Sequence, residues 1–195
     1  MREGANRLIK MVYISGYKAS ELGIFKENDP GVVYIKLAIK KALLQLLDQG
    51  LEWVMVSGQL GVEMWAAEVV IELRKKDYPD LKLAIITPFL DQEGNWSDKN
   101  KEWYHSIIQK ADYVDSVTKR KYDSPAQFRL KNQFAIKKTD ALLLVYDEER
   151  DGSPKYLLQT AKHYQENNEY PIIQINFYDL QLLVEEVQQK QNDFY

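Results

Sequence analysis

Three short glycine-bearing stretches of this chain could hold an anion, and each one leaves an apolar run. Ser15-Gly16-Tyr17-Lys18 offers a glycine for a tight turn and a lysine that either meets a phosphate or stands solvated at the surface. Ser57-Gly58-Gln59-Leu60-Gly61-Val62-Glu63 sits between a strongly apolar run and a helical pattern. There Gly58 would let backbone amides converge, and Gly61 would let a ligand or a strand approach the helix start closely. Neither the GxGxxG dinucleotide fingerprint nor a Walker A loop is present, so the alternative is a compact turn whose glycines serve packing.

Glu63, in the first turn of that helix, has two readings. It complements the helix dipole, worth a few tenths to about 1 kcal/mol, or it accepts hydrogen bonds from a ribose hydroxyl or a base. A carboxylate beside a phosphate would repel it, so the sugar is the expected neighbour. Asp147 to Pro154 is the third stretch, where Gly152-Ser153 is either a second anion site or an ordinary helix start.

Other chemistry is thin. His105 and His163 lie on separate predicted helices, and the pair His163/Glu166 lacks a third ligand, so no metal site is expected. With no cysteine, disulfides, thiolate metal sites and cysteine nucleophiles are excluded. No GxSxG elbow is present to anchor a serine triad. Arg129-Leu130-Lys131-Asn132 is basic and either contacts phosphate or is surface charge.

The elements that must position these residues are legible. Leu8–Ser15, Trp53–Ser57, Lys82–Thr87, Tyr113–Thr118, Ala141–Tyr146 and Pro171–Ile175 read as strands, several continuously apolar, as strands covered on both faces are. Asp29-Pro30 opens a helix with an apolar stripe, and Gly50 closes it. Further helices are expected over Gly61–Lys76, Asp98–Lys110, Ser124–Lys138, Lys155–Asn167 and Tyr178–Lys190, the fourth opened by the capping box Ser124-Pro125-Ala126-Gln127. Strand and helix alternating in this way predict an α/β fold: a Rossmann-like, doubly wound, mostly parallel sheet flanked by helices, in a single domain over 8–195 after a flexible extension, 1–7.

Twenty-six Lys and Arg against 29 Asp and Glu give a net charge of −3, so no global attraction for nucleic acid or an anionic membrane is expected. No apolar run approaches a membrane span, and no secretory leader is visible, so a cytoplasmic protein is expected.

Taken in order, SGQLGVE, FRLKNQFAIKKTDALLLVYD and DGSPKYLLQTA closely resemble the SLOG superfamily of Rossmann-like proteins, which includes DNA-processing protein A (DprA) and the LOG phosphoribohydrolases. SGYK, ELGIF, SGQLGVE, WAAE and GSPKY are similar to the YpsA family of Firmicutes, from about Leu8 to Ile175. Matched position by position, Gly16-Tyr17-Lys18 keeps the glycine and a cation of the DprA-like first loop. Ser57, Gly58, Gly61 and Glu63 match the second loop with one residue fewer between the glycines. Lys131-Asn132-Gln133 is similar to an Arg-Asn-Arg helix lacking its last arginine, and Asp151-Gly152-Ser153 to a Ser-Gly-Ser turn. The LOG enzymes carry a glutamate soon after Gly-Gly-x-Gly-Thr, where this chain has Gly152-Ser153-Pro154-Lys155-Tyr156 and no carboxylate.

The resemblance therefore implies binding more than catalysis. The leading expectation is a binding or sensor domain for a nucleotide-derived ligand, ADP-ribose- or NAD-like, with a role in cell division or growth control. Its ligand-binding residues would be Gly16, Tyr17, Lys18, Ser57, Gly58, Gln59, Gly61, Glu63, Arg129, Asn132, Gly152 and Ser153. One alternative is a nucleotide N-glycosidase or phosphoribohydrolase with Glu63 as its catalytic residue; another is a DprA-like nucleic-acid or protein-interaction module. A homo-oligomer and a cell-division protein partner are further expectations, while nucleic acid is not an expected partner.

Overall fold

The computed structural model describes residues 8–26 and 28–192; the expected extension over 1–7 lies outside them. Six strands form one parallel sheet: β1 Met11–Gly16, β2 Trp53–Val56, β3 Lys82–Thr87, β4 Tyr113–Ser116, β5 Ala141–Val145 and β6 Ile172–Ile175. Their order is β4-β3-β2-β1-β5-β6, so the order of winding reverses between β1 and β5. In open α/β sheets that switch point, at the carboxyl ends of the strands, is where ligands sit.

The helices are α1 Pro30–Asp48, α2 Val62–Lys76, α3 Asp98–Ile108, α4 Ala126–Lys138, α5 Pro154–Gln165 and α6 Phe177–Asn192, with a short 3-10 turn over Ala19–Leu22. Val12 and Ile14 of β1 point into a core shared with α1, α2 and α3. Tyr13, between them, points to the opposite face, where Ala135 and Ile136 of α4 pack with Leu157 and Leu158 of α5. Period-two alternation on one strand thus feeds two separate cores. β5 is buried at every position because both faces are covered.

Local chemistry sets the helix ends. The Asp29 carboxylate accepts from the Gly31 amide at 2.8 Å, and Pro30 supplies a helical φ at the first position. In the predicted capping box the reciprocal half forms: Gln127 Oε1 accepts from Asp123 N at 2.8 Å and from Ser124 N at 3.3 Å. The helix itself starts one residue later than the box predicts, at Ala126 with Pro125 as its N-cap, and no side chain caps it there. The 3-10 turn is the element that periodicity does not reveal, being four residues long. Among the described residues no helix is long and apolar enough to cross a membrane.

Candidate functional site

The loops leaving β1, β2 and β5 converge around the 3-10 turn. Gly61, with φ 114°, lies against the backbone of Tyr17–Ala19: a Cβ there would come within 2.7 Å of Tyr17 O and also meet Ala19 N. This close approach lets the Val62 amide donate to Tyr17 O at 3.1 Å and the Ala19 amide to Leu60 O at 3.3 Å. Gly61 therefore seats the β1 loop on the start of α2.

The structure turns Glu63 inward, where the expected readings put a sugar or a reaction. The residue is 3% exposed, and its carboxylate accepts from Ser57 N at 2.6 Å, Ser57 Oγ at 2.5 Å, Ser15 Oγ at 2.7 Å, Tyr13 OH at 3.2 Å and Gln59 N at 3.3 Å. Lys131 Nζ donates in turn to Tyr13 OH at 2.9 Å, so the charges of α2 and α4 are linked through a tyrosine. A buried carboxylate is tolerated when several donors replace its water, and these do. Burial pushes the Tyr13 hydroxyl well above its usual range, reinforced by the Glu63 charge, and burial lowers the Lys131 ammonium. Ser57, Gln59 and Glu63 thus tie β1, β2 and α2 together.

Tyr17 is likewise internal, 1% exposed. Its hydroxyl donates to Arg150 O at 2.7 Å and to Asp147 O at 3.0 Å, and its ring stacks on Phe177 at 5.7 Å. Gly152 has no room for a side chain, because a Cβ would meet Tyr17 Cε1 at 2.5 Å. Gly16 is as tightly placed, its Cβ position lying 2.7 Å from Val145 O. The two glycines hold the β1 and β5 loops side by side.

Glu21 is the residue that sequence reasoning passed over. Its carboxylate accepts from Ser153 N at 2.8 Å, Ser153 Oγ at 3.0 Å and Lys18 N at 2.7 Å. One anion is therefore held jointly by the β1 loop and the start of α5. Spacing gave a hint: Glu21 stands three residues after Lys18, where a carboxylate reaches back to the amide that opens a turn.

The structure does not join every expected residue to this cluster. Arg129 is exposed on α4, while Asn132 is buried at 9% exposure. No hydrogen bond links either side chain to the three loops among the described residues. Gly58, with φ 75°, faces the other way, its Cβ position 2.9 Å from Tyr104 Cε2 and 3.0 Å from Gln92 Nε2. No group of His, Asp and Glu able to hold a metal is found among the described residues.

The family model described as the YspA SLOG family (YpsA) matches residues 12–180. A UPF0398 protein of Bacillus cereus (strain B4264) is 57% identical over 180 residues, covering 92% of this chain and 97% of that relative. A UPF0398 protein of Bacillus thuringiensis (strain Al Hakam) is 56% identical over the same coverage. Among solved structures, DNA processing protein A from Helicobacter pylori, described for its single-stranded DNA binding mode, superposes with a TM-score of 0.53 at 16% identity. That match covers 92% of this chain and 80% of the other and establishes likeness of fold. On the family model and these relatives, the chain belongs to the YpsA family of SLOG proteins.

Proposed function

We propose that the chain is a binding or sensor domain for a nucleotide-derived ligand of the ADP-ribose or NAD type, seated at the carboxyl ends of β1, β2 and β5. The observation that carries this reading is the convergence of Lys18 N, Ser153 N and Ser153 Oγ on one carboxylate at the switch point. Donors that hold a carboxylate there suit a phosphate oxygen equally, and the start of α5 adds its partial positive charge. Lys18 would supply further charge once a phosphate replaced Glu21. Membership in the family and the Rossmann-like fold fit a binding domain. A role in cell division or growth control, with a homo-oligomer or a division protein as partner, is the setting that the family resemblance suggests.

The N-glycosidase reading is less favoured, because Glu63 has internal donors on both oxygens and almost no exposure. A general acid must reach the substrate's leaving group. Calorimetric titration with ADP-ribose, NAD and nucleoside phosphates tests the binding reading, and turnover assays on the same compounds test the enzymatic one.

One observation favours a second reading. Phe89, Tyr122 and Phe128 form an aromatic cluster, with Phe89–Tyr122 and Phe89–Phe128 centroids 5.1 and 5.6 Å apart, and Tyr122 is 54% exposed. Exposed aromatics beside Lys119, Arg120 and Lys121 suit single-stranded nucleic acid, which DNA processing protein A of similar fold is described as binding. This weighs against the expectation, drawn from net charge, that nucleic acid is no partner. The same cations are paired with Asp115, Asp123 and Asp91, however, and this places the nucleic-acid reading second. Binding of a labelled oligonucleotide that weakens steeply with salt would bring it forward.

A further inference from the structure

The carboxyl edge of the sheet holds another hollow, of about 330 Å³, at the ends of β3 and β4. It adjoins the Ser57-Gly58 turn through Gln92, whose Nε2 donates to Ser57 O at 2.8 Å. Apolar Leu90, Ile108 and Val114 line it together with Tyr104, Glu93 and Ser116.

Ser116 and Glu93, both in this lining, make no side-chain hydrogen bond among the described residues. Ser116 is 5% exposed, and its Oγ is the buried side-chain polar atom among the described residues that has no hydrogen bond. The Glu93 side chain is 20% exposed, and its carboxylate makes no hydrogen bond among the described residues; its ionic contact is His105 Nε2 at 3.9 Å. The other two carboxylates of the hollow are already paired, Asp91 with Lys121 and Asp115 with Lys119. An unsatisfied polar group removed from water is costly, so a ligand that satisfies both groups gains more here than on open surface.

The chemistry of that ligand follows from the lining. A carboxylate that holds no hydrogen-bond donor repels phosphate and accepts from N–H groups. The apolar and aromatic side chains suit a flat ring, and a serine hydroxyl can donate to a ring nitrogen. Three inter-strand spacings, about 14 Å, separate the β3/β4 ends from the β1/β5 ends, a span that a nucleotide diphosphate can bridge.

We propose that this hollow receives the amino-bearing nucleobase of the ligand, with Glu93 accepting from the exocyclic amine and Ser116 Oγ bonding a ring nitrogen. The proposal rests on the nucleotide reading of the switch point and fixes its direction: base toward β3 and β4, phosphates toward Lys18 and Ser153. It also gives Gly58 a role, since a side chain there would press on Tyr104 and Gln92 at the border of the hollow.

Calorimetry tests it with AMP, with purine riboside 5′-phosphate (hydrogen in place of the amine) and with ribose 5-phosphate (no base). The proteins are the wild type, Glu93→Gln and Ser116→Ala, each checked for native folding by circular dichroism. AMP is expected to bind at least tenfold more tightly than ribose 5-phosphate. Glu93→Gln should weaken AMP about tenfold, or about 1.4 kcal/mol, while leaving the other two ligands within twofold. Ser116→Ala should weaken both purine ligands and spare ribose 5-phosphate. If AMP binds and Glu93→Gln leaves its affinity unchanged, the base site is wrong while the nucleotide reading stands. Equal binding of AMP and ribose 5-phosphate would overturn the base site in the same way. If none of the three binds while ADP-ribose does, the base site is wrong and the nucleotide reading stands; if ADP-ribose is silent as well, the nucleotide reading fails and takes this proposal with it.

Discussion

The carboxylate of Glu21 is held by both the amide and the hydroxyl of Ser153, at 2.8 and 3.0 Å, across 132 residues of chain. A side chain from the β1 loop thereby occupies the start of α5, where the nucleotide reading places a phosphate. Arg150 Nη2 adds a bond to Glu21 O at 3.0 Å, so backbone and side chain of the same residue fasten the two loops.

Glu21→Gln keeps the shape and removes the charge. Charge-assisted bonds are worth roughly 1.5–3 kcal/mol, so the variant should be less stable by about 1–2 kcal/mol in urea unfolding. A phosphate no longer competes with a carboxylate at Ser153, so affinity for ADP-ribose should rise severalfold. Unchanged affinity together with lowered stability would make Glu21 a fastening residue only.

Glu63→Ala leaves Ser57 N, Ser15 Oγ and Tyr13 OH without their acceptor and Lys131 without its counter-charge. Removing one member of a buried charged network costs about 3–5 kcal/mol, enough to threaten a domain of ordinary stability. Glu63→Gln should cost less, because its amide oxygen still accepts. Urea midpoints of the two variants check this order. A Glu63→Ala protein as stable as the wild type would remove the carboxylate from the framework.

Gly61→Ala and Gly23→Ala separate crowding from backbone strain. Both glycines have positive φ, 114° and 71°, but a Cβ at Gly23 meets nothing within 4 Å, while at Gly61 it strikes the Tyr17–Ala19 backbone. Gly23→Ala should cost about 1 kcal/mol and Gly61→Ala about 3 kcal/mol or more, in thermal or urea unfolding.

Alkaline pH should destabilise the protein through its tyrosines. Burial raises Tyr13, Tyr17, Tyr104, Tyr146 and Tyr170 above the ordinary 10.0, Tyr104 to about 12. Between 10.0 and their folded values these groups keep protons that the unfolded chain has lost, so their stabilising contribution, complete below 10, falls as pH rises. Lys131, lowered by burial, acts in the opposite sense below 10.5 but is one group against five. The urea midpoint should therefore drop as pH rises from about 10 towards 12. Tyrosinate absorbance should show a late fraction that appears only on unfolding.

Most of this frame can be read from the residues, because continuous apolar runs such as Ala141–Val145 have no stable place except a strand covered on both faces. Lys82–Thr87 has the predicted boundaries, and Asp29-Pro30 marks the start of α1 as capping chemistry requires. The glycines of the β2 loop were legible as a place of close approach, but which partner approaches Gly61 depends on how β1 sits beside β2. That partner is the chain itself. The inward turn of Glu63 was hidden for a related reason: its donors come from β1 and β2, and Lys131 reaches Tyr13 across 118 residues. The alternation of Tyr13 and Ser15 with apolar Val12 and Ile14 was the available sign that one face of β1 carries polar tips. Glu21 lies in a stretch with no periodic signal, and Glu93 and Ser116 line one hollow only because β3 pairs with β4.

A nucleotide-derived ligand at the switch point is tested by titrating ADP-ribose into the wild-type protein and into Glu21→Gln by calorimetry. Saturable binding to the wild type, tightened severalfold in Glu21→Gln, is the predicted result. Absence of heat at millimolar ADP-ribose, NAD and AMP in both folded proteins would contradict it.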